Sequence, residues 1–423
     1  MPTVAYLANQ YPVTVEPYVA NEICALRGRG LKVISGSVRR PGTSNDPANS
    51  CADICIEPFH LRTLLRAFFL IAKRWKSVSP LVTRALLSGN ESLKLRLKAI
   101  LHTLLGACYA TLLQDREVDH IHVHHGYFGS WIAMTAASLL GVPFSMTLHG
   151  SDLLLNQAYL AEKFHHCRFC ITISEYNRQY ILQHFPEIAP STIIVSRLGV
   201  DVISPTLEIR PRVPIGRKLS LLTAGRLHPV KNHAFLIYAC ARLRGFGLDF
   251  ECRIAGEGLE RNRLESLIRE KQLQDQVTLL GHIAPQEMNS LYQQADLFLL
   301  TSLSEGIPLV LMEAMANALI VLAPAITGIP ELISHEKTGF LYQPGNLDEF
   351  VNKVLAVHRM TVEAESSDKL RLMRHAARIK VFHDFNRQKN LDRFSDLFLQ
   401  SISPKPWSSP HENSVLQQVQ LSV

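Results

Sequence analysis

A chain of 423 residues, 47% hydrophobic and 19% charged, is too long for one ordinary core; its composition is globular and excludes the disordered and fibrous classes. The formal net charge of +7 asks for an anionic partner without choosing among a nucleotide, a membrane surface and nucleic acid. Eight cysteines at this length exclude the disulfide framework of a small secreted domain.

The opening MPTVAYLANQYPV lacks a basic n-region and an unbroken apolar stretch, so it reads as a first β-strand, not a signal peptide. The cytosol, with reduced thiols, is the expected compartment, and no window is apolar enough to span a bilayer. Further strands are expected at LKVISGSV (from Leu31), DHIHVHH (from Asp119), PFSMTLHG (from Pro143), FCITIS (from Phe169) and TIIVSRLG (from Thr192). Near-continuous apolar strands alternating with helical patterns predict a parallel sheet covered on both faces. Between Arg62 and Lys98 nine basic residues face only Glu91, a segment charge of +8. Leu, Phe, Ile and Trp75 are interleaved there at helical spacing, which suits either a solvated face or a helix lying on an anionic bilayer. Cys167 and Cys170 form a CxxC with no second pair at finger spacing; they are read as packed thiols, with Cys170 opening its strand.

Asp201 to Lys218 holds Pro205, Pro211 and Pro214 without periodicity and reads as a linker, 201–218, between domains 1–200 and 219–384. The strand rhythm then restarts with LSLLTAG (from Leu219), ECRIAG (from Glu251), VTLLG (from Val277), DLFLLTS (from Asp296), IVLAPA (from Ile320) and GFLYQ (from Gly339). A last amphipathic helix is expected over 385–403 and a disordered tail over 404–423. The fold class is therefore α/β, two doubly wound halves, with ligands expected beyond the carboxyl ends of the strands and in the cleft between the halves.

The chemistry concentrates in TSLSEGIPLVLME, where Glu305 and Glu313 are separated by seven residues. Pro308 suits the first position of a helix, Gly306 permits close backbone approach, and the free amides of that first turn suit an anion. Two carboxylates beside an anion seat make sense as acceptors for hydroxyls of a ribose and a sugar. Arg226 and Lys231, just after the strand end Gly225, supply cations for a diphosphate.

In order, GRL-x3-K, GEG (Gly256–Gly258), LGHI (Leu280–Ile283), SEGIP with E-x7-E, GIPELI and TGFLYQPGN resemble the retaining GT-B glycosyltransferases of the group 1/family 4 type. The resemblance covers most of Leu219–Asn346. It implies two Rossmann-like domains and a C-terminal helix crossing back to the first. It also implies Arg226 and Lys231 on the donor diphosphate, Glu313 on the ribose and Glu305 at the donor sugar. Backbone at Gly306, Ile307 and Pro308 would approach sugar or phosphate, and His282 and Ile283 would flank the base. TLHGSD resembles the family's HGxD element, with His149 at the reaction centre beside Glu305. Asp152, Tyr11 and Tyr18 are placed in an acceptor loop. His122, His124 and His125 also follow the family pattern. His122 and His124 share a sheet face, but no carboxylate lies near them in sequence, so neither a metal nor any other cofactor is expected.

Three departures stand out: no glycine in the loop after the first strand, Ala318 and Ile320 where the family has Gly and Pro, and one glycine, Gly328, before IPEL. A dinucleotide oxidoreductase is disfavoured because the first strand–helix turn lacks GxGxxG, and a glycosidase because the carboxylates adjoin a diphosphate seat. A non-catalytic scaffold binding membrane or nucleotide is the remaining alternative, with nucleic acid disfavoured for want of finger or RNP signatures. The resulting expectation is a retaining hexosyltransferase using a UDP- or GDP-sugar and a saccharide or lipid-linked acceptor in surface-polysaccharide synthesis. It would be cytoplasmic, with residues 62–98 offering a peripheral contact to the inner face of the cytoplasmic membrane.

Overall fold

The computed structural model describes residues 2–13, 16–40, 52–57, 60–155, 157–202, 218–362 and 364–403. Most of the expected linker (203–217) and the whole expected tail (404–423) lie outside the described residues. The chain forms two compact units, one from the described residues of 1–173, 177–196 and 391–423, the other from 174–176 and 197–390.

The first unit is built on a seven-stranded sheet of β1 (Thr3–Gln10), β2 (Lys32–Arg39), β3 (Ile54–Cys55), β4 (His120–His124), β5 (Phe144–Leu148), β6 (Cys167–Thr172) and β7 (Ile193–Val195). Its order is β3-β2-β1-β4-β5-β6-β7, and every neighbouring pair is parallel. The second holds β8 (Leu219–Ala224), β9 (Phe250–Ala255), β10 (Val277–Gly281), β11 (Leu297–Leu299), β12 (Ile320–Pro324) and β13 (Phe340–Tyr342) in the order β10-β9-β8-β11-β12-β13, again all parallel. These are the strands read from sequence, plus β3, whose two residues are too few to show a pattern. Helices cover both faces, which is why β4, β5, β8 and β12 are buried at every position. In each sheet the strand order reverses once, between β1 and β4 and between β8 and β11. Successive connections there leave toward opposite faces and open a crevice at the carboxyl edge.

The basic segment is not one helix but three, Leu61–Lys73, Trp75–Leu87 and Leu93–Leu113. The second break is made by Gly89 at φ +83° and by Ser92, whose hydroxyl caps the third helix by accepting from the Leu95 amide. Two of the nine cations are spent on that turn. Arg84 forks onto the Glu91 carboxylate at 2.8 and 3.0 Å, and Arg96 donates to the Leu86 and Gly89 carbonyls. No helix of the described residues is long and apolar enough to cross a membrane.

Strand β6 opens at Cys167, not Cys170. Burial keeps both thiols protonated, lifting Cys167 to about 12 and Cys170 well above its ordinary value. The last helix, Arg387–Ile402, starts after Asn386, and its residues from Leu391 onward belong to the first unit. Phe394, Phe398 and Ile402 join Val4, Tyr6, Ile23 and Phe169 in one buried cluster. Phe398 lies 5.1 Å from the His122 ring and 5.7 Å from that of Phe169. The helix is thus part of the first unit's core, and Phe398→Ala should destabilise that unit by about 3–5 kcal/mol in urea unfolding.

Candidate active site

In the second unit the motifs read from sequence are interlocked by backbone at the carboxyl edge of β8 and β11. Gly256 sits against the end of β8 so closely that a Cβ would fall 1.9 Å from the Gly225 carbonyl, and its φ of +149° suits glycine. The Gly256 amide donates to Gly281, and that of Leu227 to Glu257, tying GRL, GEG and LGHI together. The Leu303 amide donates to Val230 and the Thr301 hydroxyl to the Lys231 carbonyl, which seats the SEGIP loop beside the lysine loop. Thr327, missed in the sequence, donates its hydroxyl to the Glu305 carbonyl at 2.6 Å. The glycine retained at Gly328 is required, since a Cβ there would meet the Gly306 carbonyl at 2.7 Å.

Within this frame the Lys231 ammonium donates to the Glu305 carboxylate at 2.6 Å, with both side chains largely buried. The lysine stem runs over Gly225, where a Cβ would lie 3.6 Å from its Cδ. Arg226, the next residue, is exposed and makes no ion pair among the described residues. A paired ammonium and an unpaired guanidinium therefore leave the same strand end. Ile307 and Pro308 are buried, so their backbone is what they can present to a ligand. Pro308 is the N-cap and not the first helical residue. Its ψ of 125° is extended, and the helix runs Leu309–Ala316. Glu313 therefore sits little more than one turn in. Burial raises its pKa against the opposing pull of the hydrogen bond from the Tyr292 hydroxyl at 2.7 Å. His282 is exposed, and Ile283 packs against the core.

In the first unit the loops after β4 and β5 meet around Asp152. This carboxylate is fully buried and accepts from the amides of Gly126 (2.9 Å), His149 (3.0 Å) and Gly150 (2.8 Å). The expected acceptor contact is thus corrected: both oxygens are committed to shaping the loop. Tyr11 is also corrected, because it is buried in the core, with its amide on Ser37. The Tyr18 ring centroid lies 4.5 Å from that of His149.

His125, at φ +69°, lies between two carboxylates, 3.2 Å from Glu16 and 3.6 Å from Asp152. Burial pulls its pKa down, but hydrogen bonds and charge from Asp152 and Glu16 outweigh this and raise it to about 10, so it is a fixed imidazolium. Burial, followed by the charge of His125, holds His149 well below its ordinary value. Lys163, for which the sequence gave no signal, donates to the carbonyls of Gly126, Tyr127 and Ala158, and burial brings it down to about 7.

The carboxylate absent from the sequence around His122 and His124 arrives from the helix Pro17–Gly28. Glu22, His122 and His124 offer ligand atoms within 4.8 Å of one another. Every nitrogen of these rings is already bonded, His122 to Ser145 (2.7 Å) and Thr147 (3.0 Å), His124 to Glu22 (3.0 Å) and His149 (2.9 Å). These contacts join the cluster into a hydrogen-bond network, which a cation held there would replace.

Comparison with known proteins bears on this geometry. The family model described as Glycosyltransferase Family 4 matches residues 15–203, and that described as Glycosyl transferases group 1 matches 206–371. WcaL of Escherichia coli K12, named as a colanic acid biosynthesis glycosyltransferase, is 35% identical over 46% of this chain; the chain spans about half (48%) of that relative's length. An Escherichia coli enzyme named UDP-Gal:alpha-D-GlcNAc-diphosphoundecaprenol alpha-1,3-galactosyltransferase is 26% identical over 70% of this chain and 78% of its own. The crystal structure of Anabaena HepE in complex with UDP and glucose has the same fold, with TM-score 0.67 at 17% identity over 95% of this chain and all of that one. Two doubly wound parallel sheets, each with its functional loops at the carboxyl edge, define a GT-B protein. The chain belongs to the group 1/family 4 glycosyltransferases.

Two predictions follow from these contacts. Lys231→Met, which strands the Glu305 charge, should cost about 3–5 kcal/mol, and adding Glu305→Gln should recover part of it in a double-mutant cycle. His125 has a raised folded pKa, so its contribution is full below 6.5 and is lost as pH rises towards about 10. Stability measured by denaturation should fall over that window, and His125→Gln should flatten the fall.

Proposed function

We propose that the protein moves a hexosyl group from a UDP- or GDP-sugar to a hydroxyl of a saccharide or lipid-linked acceptor, retaining the anomeric configuration. The observation that carries this reading is the Lys231–Glu305 pair at 2.6 Å on the strand end that also presents unpaired Arg226. Arg226 and Lys231 take the diphosphate, whose negative charge grows as the glycosidic bond breaks. Fixed cations therefore stabilise the transition state more than the ground state. As Lys231 turns to phosphate, the Glu305 carboxylate is released toward a sugar hydroxyl. Glu313 accepts from the ribose hydroxyls, His282 and Ile283 flank the base, and backbone at Gly306–Pro308 lies against the sugar. His149 is the group of the first unit assigned to the reacting sugar. No separate nucleophile is offered, so the acceptor attacks on the face the diphosphate leaves, and the two cations serve where a metal would otherwise be needed. The names of the relatives, which cite colanic acid, a UDP-galactose donor and an undecaprenol-linked acceptor, support a place in surface-polysaccharide assembly.

Binding and slow hydrolysis of UDP-, GDP- and ADP-sugars should separate wild type from Arg226→Ala and Glu313→Ala. A lost diphosphate cation costs about 3 kcal/mol, on the order of a hundredfold in rate. Equal responses in all three proteins would instead support the non-catalytic scaffold. NMR of the product anomer tests retention, and activity abolished by a chelator and restored by manganese would remove the metal-free claim.

An anionic bilayer is the proposed partner of residues 62–98, which would place the protein at the inner face of the cytoplasmic membrane. Leu61, Leu65 and Phe69 form an i, i+4, i+8 stripe on the first of the three helices, and Leu93, Leu97 and Leu101 another on the third. All are at least 53% exposed. Arg62, Arg66, Lys73 and Lys94 are exposed beside them, each worth about 1 kcal/mol near an anionic surface. Vesicles of phosphatidylglycerol, but not phosphatidylcholine, should sediment the protein, and Leu65→Glu with Phe69→Glu should release it.

A further inference from the structure

A chain of polar groups, three buried and the last, His149, part-buried, runs from the first helix to the histidine loop of the first unit. The Tyr6 hydroxyl donates to the Glu22 carboxylate. The His124 Nε2 lies 3.0 Å from that same carboxylate oxygen and 2.9 Å from the Tyr6 oxygen. On its other side, His124 Nδ1 lies 2.9 Å from His149 Nε2. These contacts span 102 residues between Glu22 and His124 and 25 between the two histidines.

With one ring proton on each histidine, counting protons along this chain assigns the tautomers. Tyr6 has one hydrogen, given to Glu22, so it shows His124 only a lone pair. Burial and the Glu22 charge both raise the Tyr6 pKa, which keeps that hydrogen on the hydroxyl. Both atoms facing His124 Nε2 are then acceptors, and Nε2 must carry the ring proton. With one ring proton on His124, its Nδ1 is an acceptor and His149 Nε2 is the donor. Burial and the neighbouring His125 disfavour a second proton on His149, so its Nδ1 is left with a bare lone pair. No hydrogen bond engages that nitrogen among the described residues.

We propose that Glu22 is a positioning residue for glycosyl transfer: acting through His124, it holds His149 as the Nε2–H tautomer and leaves Nδ1 to accept a hydrogen bond from a sugar hydroxyl. The role for transfer rests on the function proposed above, whereas the tautomer does not. Without Glu22 the Tyr6 hydrogen turns to His124 Nε2. The ring proton of His124 then moves to Nδ1, and His149 accepts on Nε2 and carries its own proton on Nδ1. The nitrogen offered to substrate changes from acceptor to donor.

The test uses the full chain with 15N-labelled histidine, without substrate, and reads ring tautomers from long-range proton–nitrogen correlations. Wild type should show His124 and His149 protonated at Nε2, and His149 protonated at Nδ1 overturns the proposal even if no variant folds. Glu22→Leu, close in volume, should invert both tautomers; Glu22→Gln, which keeps an acceptor oxygen, and Tyr6→Phe, which leaves the Glu22 acceptor, should not. In transfer assays with the best donor of the panel, Glu22→Leu should lose about a hundredfold in kcat with donor KM little changed. Glu22→Gln should recover most of it. Inverted tautomers with full kcat in Glu22→Leu, or equal losses in Leu and Gln, overturn the positioning role. A wild type that turns over no donor on the panel refutes the transferase reading instead and leaves the tautomer result standing.

Discussion

Both candidate sites in this molecule depend on how parallel strands end. All strands of a parallel sheet finish on the same edge, and their last amides and carbonyls need partners outside the ladder. Where the strand order reverses, at β1/β4 and at β8/β11, the connections diverge and the edge is open. The histidine loops occupy the first opening and the Arg226–Lys231 and SEGIP loops the second. Glycines such as Gly256 and Gly328 serve here by absence, because any side chain would collide with the neighbouring loop's carbonyl.

A second theme is the management of buried charge. Each largely buried cation at these edges is met by a carboxylate or by carbonyls: Lys231 by Glu305, His125 by Glu16 and Asp152, Lys163 by three backbone oxygens. Desolvated charge without such partners would be too costly to keep. Arg226 needs no such partner because it is exposed. The pairing differs in kind between the units. Around Asp152 it is saturated and fixes a loop, whereas Lys231 and Glu305 form a single contact.

Much of this was legible in the residues. The strands, apart from the two-residue β3, announce themselves as apolar β-branched runs, and GRL-x3-K, GEG and E-x7-E carry their spacing openly. The misreadings came where burial decides. Asp152 stands in a loop motif beside His149 and looks available, yet four amide contacts from three residues consume it. Tyr11 follows a strand end, yet its ring turns into the core. Pro308 fits a first helical turn by its φ, but its ψ leaves it outside the helix as the cap. The basic segment reads as one amphipathic helix because periodicity does not register the break at Gly89 and Ser92.

By itself the sequence determined the two parallel sheets and the family of the chain, because these depend on local period, on turn residues and on ordered motifs. Only the tertiary structure decided which polar groups are partners. Glu22 lies in a helix with no motif, and nothing within several residues of it suggests a role. It reaches His124 because β1 and β4 are neighbours in the sheet and the helix after β1 packs where their loops diverge. Hydrogen-bond partners are set by distance in space, and a pattern with a period of two or 3.6 residues carries no record of contacts a hundred residues apart.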